Sequence, residues 1–429
     1  MDDIRHHSIS ILTEFDRTNK QLKSIRDQYC IHHSINGQSR QRLTAHTNDI
    51  IRWRGRLDSW IRRLLKNPQR KMRHRLMNIL RGGFYEILMD EKIPNHASVN
   101  SYVELCKKTV GQPQSKFVNA LLRKAIELDS NEKPNGFDNY QWHSFPEWLW
   151  NKWLNQFGEK MTIALAEIYN SPPSYSIRRS GSELSEESLF AFCNKENIDI
   201  KKWTGSDNFY SVVHNLSGLK NLLNSKKLTV QDRAAGKVVE LLHPKPGETI
   251  LDVCAAPGTK TQYIADLMQG EGHLYVSDIS DARMSQFDTN WKNVNVAIKN
   301  ATKDNFPLAD GILIDVPCSG TGAVDKKPDI RWRRSYAEIQ TFVKLQSQML
   351  NHMSKYIKPE GRIIYSTCSL EPEENWGVID TFLKLNDHFH VHNEPNKYSE
   401  KWFDGKGAFS PFPPISKTDG MFAVKLVNG

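Results

Sequence analysis

The sequence predicts three successive parts: an all-α domain, a small connecting α/β region, and an α/β domain built on an open sheet with helices on both faces. Three observations carry that reading. Residues 1–130 repeat apolar positions at helical spacing. From about residue 229, short apolar strands alternate with helices, the pattern of a parallel sheet. Between the two lie stretches rich in turn residues that fit neither pattern. The corresponding domains are 1–130, 138–228 and 229–429.

In the first part, Leu57, Ile61, Leu64 and Leu65 share a helix face, as do Met72, Leu76, Ile79 and Leu80. The pair Gly82-Gly83 is expected to bend or end the second of these helices. A further amphipathic helix is expected from Phe117 to Leu128. The polar stretch Asp129-Ser-Asn-Glu-Lys-Pro-Asn-Gly reads as a linker. Residues 146 to about 225 mix helices and short strands, with a break at Ser171-Pro-Pro. In the last part, Thr249–Cys254 is a strand, Lys260–Met268 a helix, and Leu274–Ser277 a second strand. A third strand is placed near Ala297-Ile298, a fourth at Ile312–Ile314 and a fifth at Arg362–Ser366.

Composition narrows the class. A chain of 429 residues exceeds one ordinary core. Its 38% hydrophobic and 25% charged residues suit a folded chain and exclude a disordered one. No run of about 18 apolar residues is present, so no membrane span is expected. Met1-Asp-Asp-Ile-Arg has no apolar segment to serve as a secretory signal, so a cytoplasmic location is expected. The net charge is +9 and uneven: Arg52, Arg54, Arg56, Arg62, Arg63, Lys66, Arg70, Lys71, Arg73, Arg75 and Arg81 face a single acid, Asp58. Such a cluster is the footprint of a polyanion or a solvated basic face, with a membrane surface a weaker third reading because the apolar stripe looks like core. The six cysteines include no C-x-x-C pair, which argues against zinc ribbons, and no metal is expected. A disulfide framework is not expected in so large a chain.

Three segments carry chemistry. In Asp252-Val-Cys-Ala-Ala-Pro-Gly-Thr-Lys-Thr, small residues between a strand and a helix bare the backbone to a ligand. It is neither a G-x-G-x-x-G fingerprint nor a phosphate loop. Asp278 ends the second strand, where a carboxylate can accept both hydroxyl protons of a ribose; an exposed turn residue is the plainer reading. Ile314-Asp-Val-Pro-Cys-Ser-Gly-Thr-Gly and Tyr365-Ser-Thr-Cys-Ser-Leu-Glu-Pro-Glu-Glu-Asn each set a cysteine just past a core strand. A lone buried cysteine is usually a small hydrophobe. Two in matched strand-end loops, Cys318 and Cys368, point to thiol chemistry in one cleft.

In combination these motifs resemble the bacterial Sun/Fmu/RsmB-type RNA cytosine-5 methyltransferases. The resemblance rests on Cys254-Ala-Ala-Pro-Gly-Thr-Lys-Thr, Asp315-Val-Pro-Cys-Ser-Gly-Thr-Gly, Pro328-Asp-Ile-Arg-Trp, Leu345-Gln-Ser-Gln, Thr367-Cys-Ser-Leu-Glu-Pro-Glu-Glu-Asn and Thr418-Asp-Gly-Met-Phe, the last as a closing strand. Residues 1–130 are similar to the antitermination factor NusB through Ile93-Pro-Asn-His-Ala-Ser-Val-Asn and Phe117-Val-Asn-Ala-Leu-Leu-Arg. The resemblance implies a Rossmann-like S-adenosylmethionine methyltransferase domain behind an all-α NusB-like domain. It implies S-adenosylmethionine as cofactor and RNA, 16S ribosomal RNA by the branch, as partner; a monomer without a membrane partner is expected. The cofactor would lie along Cys254, Ala255, Ala256, Pro257, Gly258, Thr259 and Lys260. Asp278 would hold its ribose, and Asp315 would stand at the transfer site.

By the same resemblance Cys368 is the nucleophile and Cys318 serves product release, with Lys260 a positive partner. The residues alone do not order the two cysteines, because DNA cytosine-5 enzymes use the Pro-Cys cysteine as nucleophile. Two departures stand out. Thr259 replaces the family's second glycine, and the acid expected near the adenine is missing, with Thr302 best aligned and Asp304 two residues on. Trp332, between two arginines, either packs or contacts RNA. The alternatives are a transfer RNA or another ribosomal site as acceptor, and a non-catalytic RNA-binding assembly factor.

Overall fold

In the computed structural model, residues 2–181, 183–285, 287, 293–392 and 400–429 are described. The chain divides into two compact units, Met1–Ser171 with Val324–Arg333, and Pro172–Ala323 with Arg334–Gly429.

The first unit is all helical: α1 (Asp2–Arg17), α2 (Leu22–His32), α3 (Gly37–Leu64), α4 (His74–Leu88), α5 (Asn95–Thr109), α6 (Gln112–Ala125), α7 (Asn139–Trp142) and α8 (Glu147–Asn170), the last interrupted at Gly158. Its core takes Leu57, Ile61, Leu65, Leu76, Ile79 and Leu80 from the expected apolar faces. The glycine pair does not end its helix. Gly82 and Gly83 lie inside α4, where a Cβ would sit 2.7 Å from the Tyr102 ring or 2.6 Å from Leu122. They are there for close helix packing, a use that local propensity does not reveal. The stretch 129–136 is free of helix and strand. The helices on either side of it share this unit.

The second unit opens with β1 (Tyr175–Arg179), α9 (Glu186–Lys195), β2 (Asp199–Lys202), β3 (Phe209–His214), α10 (Lys220–Asn224) and β4 (Leu228–Val230). The strands pair antiparallel in the order β2-β3-β1-β4, a βαββαβ ferredoxin-like arrangement. One sheet face packs on α9 through Ile177, Ile200 and Tyr210. The other is occupied as well: Arg178 donates to Asp266 at 2.5 Å and lies over the Tyr263 ring, and Phe209 packs into the larger core.

The main sheet follows with α11 (Arg233–Leu242), β5 (Thr249–Val253), α12 (Thr259–Met268), β6 (His273–Asp278), α13 (Asp281–Met284), β7 (Val294–Ile298) and β8 (Ala309–Asp315). Residues 324–333, with the helical turn α14 (Ile330–Arg333), count with the first unit. Then come α15 (Tyr336–Met353), β9 (Ile357–Thr367), α16 (Trp376–Leu385), β10 (Phe389–Val391), α17 (Pro413–Ser416) and β11 (Phe422–Asn428). The strand order is β10-β11-β9-β8-β5-β6-β7. Every expected strand is present, the one at Ala297-Ile298 included. The sheet is mixed rather than wholly parallel, since β11 and β10 add antiparallel at one edge. Its two faces make separate cores: Ile250, Leu313 and Ile364 pack with α11 and α12, while Leu251, Ile312 and Ile363 pack with α15 and α16. This is the period of two of strands buried on both faces. The chain runs outward from β5 to β7, then returns to β8 beside β5. The switch point between β5 and β8 is where such sheets hold ligands. Among the described residues no helix is long and apolar enough to cross a membrane.

Candidate active site at the strand ends

The loop after β5 is shaped by two residues with positive φ, Cys254 (64°) and Gly258 (101°). Only the glycine adopts this freely. Thr259 is already the first residue of α12, so helical backbone there needs no glycine, and the departure from the family pattern costs the loop nothing. Ala255 and Ala256 are buried, and Ala255 N–H donates to Ser277 O at 3.0 Å, tying the loop to β6. Asp278 is 3% exposed. Its carboxylate accepts from Ser280 N at 2.9 Å and Ala256 N at 3.3 Å, with the Arg283 guanidinium 3.4 Å away. This is a buried carboxylate fixed in orientation, not an exposed turn residue. Burial and the nearby Asp278 carboxylate push the Cys254 thiol far up, which leaves it inert.

The loops after β8 and β9 meet. Cys318 Sγ and Cys368 Sγ are 3.3 Å apart, both half-buried. Asp315, at the end of β8, accepts from Lys260 Nζ at 2.7 Å and Ser366 Oγ at 2.8 Å. Burial opposes the charge on Lys260, but Asp315 outweighs it and holds the ammonium above its usual range. Cys368 adds a further attraction to Lys260, so the positive charge lies on that side of the thiol pair. Cys318 is held well above the usual thiol range by its hydrogen bond with Cys368, by burial, and by the Glu374 carboxylate.

Most of the expected site residues come together here: the β5 loop from Cys254 to Lys260, Asp278, Asp315, Cys318 and Cys368. Thr302 lies in the loop after β7. Its hydroxyl and backbone N–H both donate to Asn300 Oδ1, at 2.8 and 2.9 Å, and it borders a groove with Gln348, Asn351 and His352 of α15. Asp304 caps the same loop, accepting from Asn300 N at 2.7 Å. Trp332 packs: its indole N–H donates to Ile51 O at 2.8 Å, and a Cβ on Gly55 would meet it at 2.9 Å.

The basic cluster also splits. Arg52, Arg56 and Arg81 are buried, and Arg54 pairs with Asp16 at 2.8 Å. Arg62, Arg63, Lys66, Arg70, Lys71 and Arg73 are exposed around the α3–α4 turn.

Some site residues had no role readable from the sequence. Asp252 is 1% exposed and accepts from Thr261 Oγ1 at 2.5 Å. Burial, aided by Asp315 and Asp278, pushes its carboxyl up to about 7. Gln346 and Glu374 lie beneath the cysteine loops. Both fall in recognisable motifs, but nothing in a linear motif tells that they touch.

Comparison with known proteins gives consistent results. Residues 239–427 match the model of the family described as 16S rRNA methyltransferase RsmB/F, and residues 3–127 match the NusB family. The chain is 29% identical to a probable ribosomal RNA small subunit methyltransferase B of Synechocystis sp., over 99% of both chains. It is 30% identical to the ribosomal RNA small subunit methyltransferase B of Proteus mirabilis, over 76% of this chain and 78% of the relative. Among solved structures, PH0851 superposes with a TM-score of 0.80 at 23% identity, over 99% of this chain and 98% of the other. NSun6 from Pyrococcus horikoshii, solved with SFG, gives 0.60 at 20% identity, over 67% of this chain and 99% of the other.

Proposed function

Because the chain belongs to the RsmB/F family of 16S rRNA methyltransferases, we propose that it methylates carbon 5 of a cytosine through a covalent adduct with Cys368. The observation that carries this reading is the 3.3 Å approach of two half-buried sulfurs in the loops after β8 and β9. A thiol has no task in methylating an amine or a ribose. It has one at cytosine, whose carbon 5 is a poor nucleophile until a thiolate adds at carbon 6.

The residues present suit S-adenosylmethionine. Asp278 offers a buried carboxylate to a diol, and Ala255, Ala256 and Gly258 bare the loop backbone beside it. When bound, the cofactor supplies an electrophilic methyl group. The chain does the rest. Lys260 favours the thiolate at Cys368, which adds to carbon 6 and makes carbon 5 nucleophilic. Asp315, locked by Lys260 and Ser366, is positioned to accept hydrogen bonds from the base edge and to stabilise its protonated form. After transfer the carbon 5 proton must leave. Its bonding electrons restore the ring double bond, and the carbon–sulfur pair returns to Cys368. Cys318 suits this step for a physical reason. The largest cause holding it protonated is its contact with Cys368. Once that sulfur is bonded to carbon, the cause is gone and Cys318 ionises more readily to act as base.

The exposed cations of the α3–α4 turn are assigned to the RNA backbone. The test uses RNA carrying 5-fluorocytosine, whose fluorine cannot leave as a proton. The wild type should form an adduct stable to denaturing electrophoresis. Cys368→Ala should form none, and Cys318→Ala should still form one. The reverse pattern exchanges the two roles. No adduct in any form, with no cofactor binding by calorimetry, favours the non-catalytic assembly factor. An adduct on transfer RNA but not on 16S rRNA moves the acceptor.

A further inference from the structure

We propose that Glu374 is the positioning residue that holds the two cysteine loops at reacting distance. The proposal rests on the cysteine mechanism above.

Glu374 is fully buried. Its two oxygens are divided between the two loops. Oε1 accepts from the backbone N–H of Ser319, the residue after Cys318, at 2.8 Å. Oε2 accepts from the hydroxyl of Ser369, the residue after Cys368, at 2.6 Å. Oε1 also accepts from Gln346 Nε2 at 2.9 Å, and that same nitrogen donates to Pro317 O at 2.9 Å. Cys318 is thus bracketed on both sides by groups that end on one carboxylate. Ser319 Oγ and Ser369 Oγ lie 2.9 Å apart between the loops. The backbone adds direct ties, Val316 N–H to Ser366 O at 3.0 Å and Gly322 N–H to Cys368 O at 2.9 Å.

None of the three donors to Glu374 is charged: an amide N–H, a side-chain amide and a hydroxyl. Burying a carboxylate without a cation is costly. A neutral glutamine of the same length would suit a purely structural clasp at lower cost. The carboxylate earns its place by a second effect, since its charge lies against Cys318 and favours the thiol there. Geometry and field act together: the loops are held together, and the negative charge of the pair is directed to Cys368.

The test measures the sulfur separation apart from methylation. Diamide joins two adjacent thiols, which lose two electrons and two protons to its nitrogen–nitrogen double bond as the sulfur–sulfur bond forms. The rate depends on the approach of Cys318 to Cys368. Glu374→Asp keeps the charge but is one methylene short of spanning both loops. Glu374→Gln keeps the span, with Ser369 Oγ accepting where it now donates. We expect Glu374→Gln to cross-link at least as fast as the wild type, since its Cys318 ionises more easily, and Glu374→Asp to do so at least tenfold more slowly. The kcat of Glu374→Asp should fall on the order of 100-fold, the effect of misplacing a reacting group by about 1 Å. Its cofactor affinity should not change, which checks the fold. Glu374→Gln should shift the pH profile of turnover to lower pH, because Cys318 then ionises more easily.

If Glu374→Asp loses cofactor binding, Gln346→Ala carries the test, removing the Pro317 brace with the carboxylate intact. Wild-type cross-linking and turnover in Glu374→Asp overturn the proposal, as does equal slowing in Glu374→Gln and Glu374→Asp. If the wild type forms no adduct with 5-fluorocytosine RNA, the cysteine mechanism fails, while the cross-linking rates still decide whether Glu374 positions the loops.

Discussion

The helical unit and the strand-end site both bury charge, but they compensate it differently. In the helical unit several buried charges are paired, although Arg331 and Arg56 donate to neutral acceptors. Arg81 bridges Asp58 and Asp16, with contacts of 2.7 and 2.9 Å, and Arg5 meets Glu86 at 2.7 Å while Ser98 and Tyr102 also donate to that carboxylate. At the strand ends, half-buried Lys260 pairs with Asp315 near Asp252, the Arg283 guanidinium lies 3.4 Å from Asp278, and Glu374 stands beside Cys318. Asp252 is driven up to about 7, and Glu374 receives only neutral donors. Matched pairs serve packing. A surplus of one sign marks a site where charge is to be moved. The difference teaches that the buried arginines of α3 and α4 belong to the fold, although the sequence groups them with the exposed ones.

The largest effect tests the site half of the contrast. Cys368→Ala should lower methylation on the order of 10³-fold or more, as loss of a covalent nucleophile does, with unchanged cofactor affinity by calorimetry. A variant that retains substantial methylation breaks the link between the charged cleft and thiol chemistry.

The next effect tests the matched half. Glu86→Ala strips a buried guanidinium of its carboxylate and should destabilise the helical unit by about 3–5 kcal/mol, read by urea denaturation. The wild-type pair also sets an acid limit. Burial pushes Glu86 up, but hydrogen bonds from His46, Arg5 and Ser98 outweigh it and hold the carboxyl at about 2. A lowered carboxyl stabilises fully above its unfolded value of 4.5 and loses that contribution as pH falls towards 2. The contribution is roughly 3 kcal/mol. An acid transition identical in wild type and Glu86→Ala would show that the pair is not structural.

A smaller effect of opposite sign is expected at Asp252. Its carboxyl is raised from 3.8 to about 7, mainly by burial. Between those values the unfolded chain ionises while the folded one keeps its proton, so stability falls as pH rises and levels off above 7. Asp252→Asn still accepts from Thr261 and removes the cost. It should stabilise by roughly 2–4 kcal/mol at pH 8 and hardly at all at pH 4, read as paired denaturation curves. A neutral or destabilising result at pH 8 would mean that the strand-end carboxylates are compensated after all.

These predictions also mark what was legible in the sequence. Strand ends, cysteine loops and the Asp278 position follow from periodicity and local chemistry, because a parallel sheet brings its carboxyl ends to one side. The sheet's antiparallel edge did not follow, since β11 pairs with β9 and β10 with β11 through contacts far apart in sequence. Gly82-Gly83 was misread because its partners, Tyr102 and Leu122, come from other helices. Glu374 is visible in its motif, yet its task lies in Ser319 and Gln346, which only folding brings near. Arginine is the sharpest case: composition counts every guanidinium alike, and burial separates them.

That separation yields the smallest effect. Arg62, Lys66, Lys71 and Arg73 are exposed, whereas Arg54 is spent on Asp16. Each lysine or arginine that neutralises a phosphate releases about 0.7–0.9 of a counterion. Replacing the four exposed residues with alanine should lower the slope of log affinity for RNA against log salt by about 3, with cofactor binding unchanged. Arg54→Ala should leave that slope as it is and lower the stability of the helical unit instead, because Asp16 loses one of its cations. If Arg54→Ala reduces the salt slope as much as any single exposed residue, the paired and exposed arginines act as one surface, and the division drawn between them collapses.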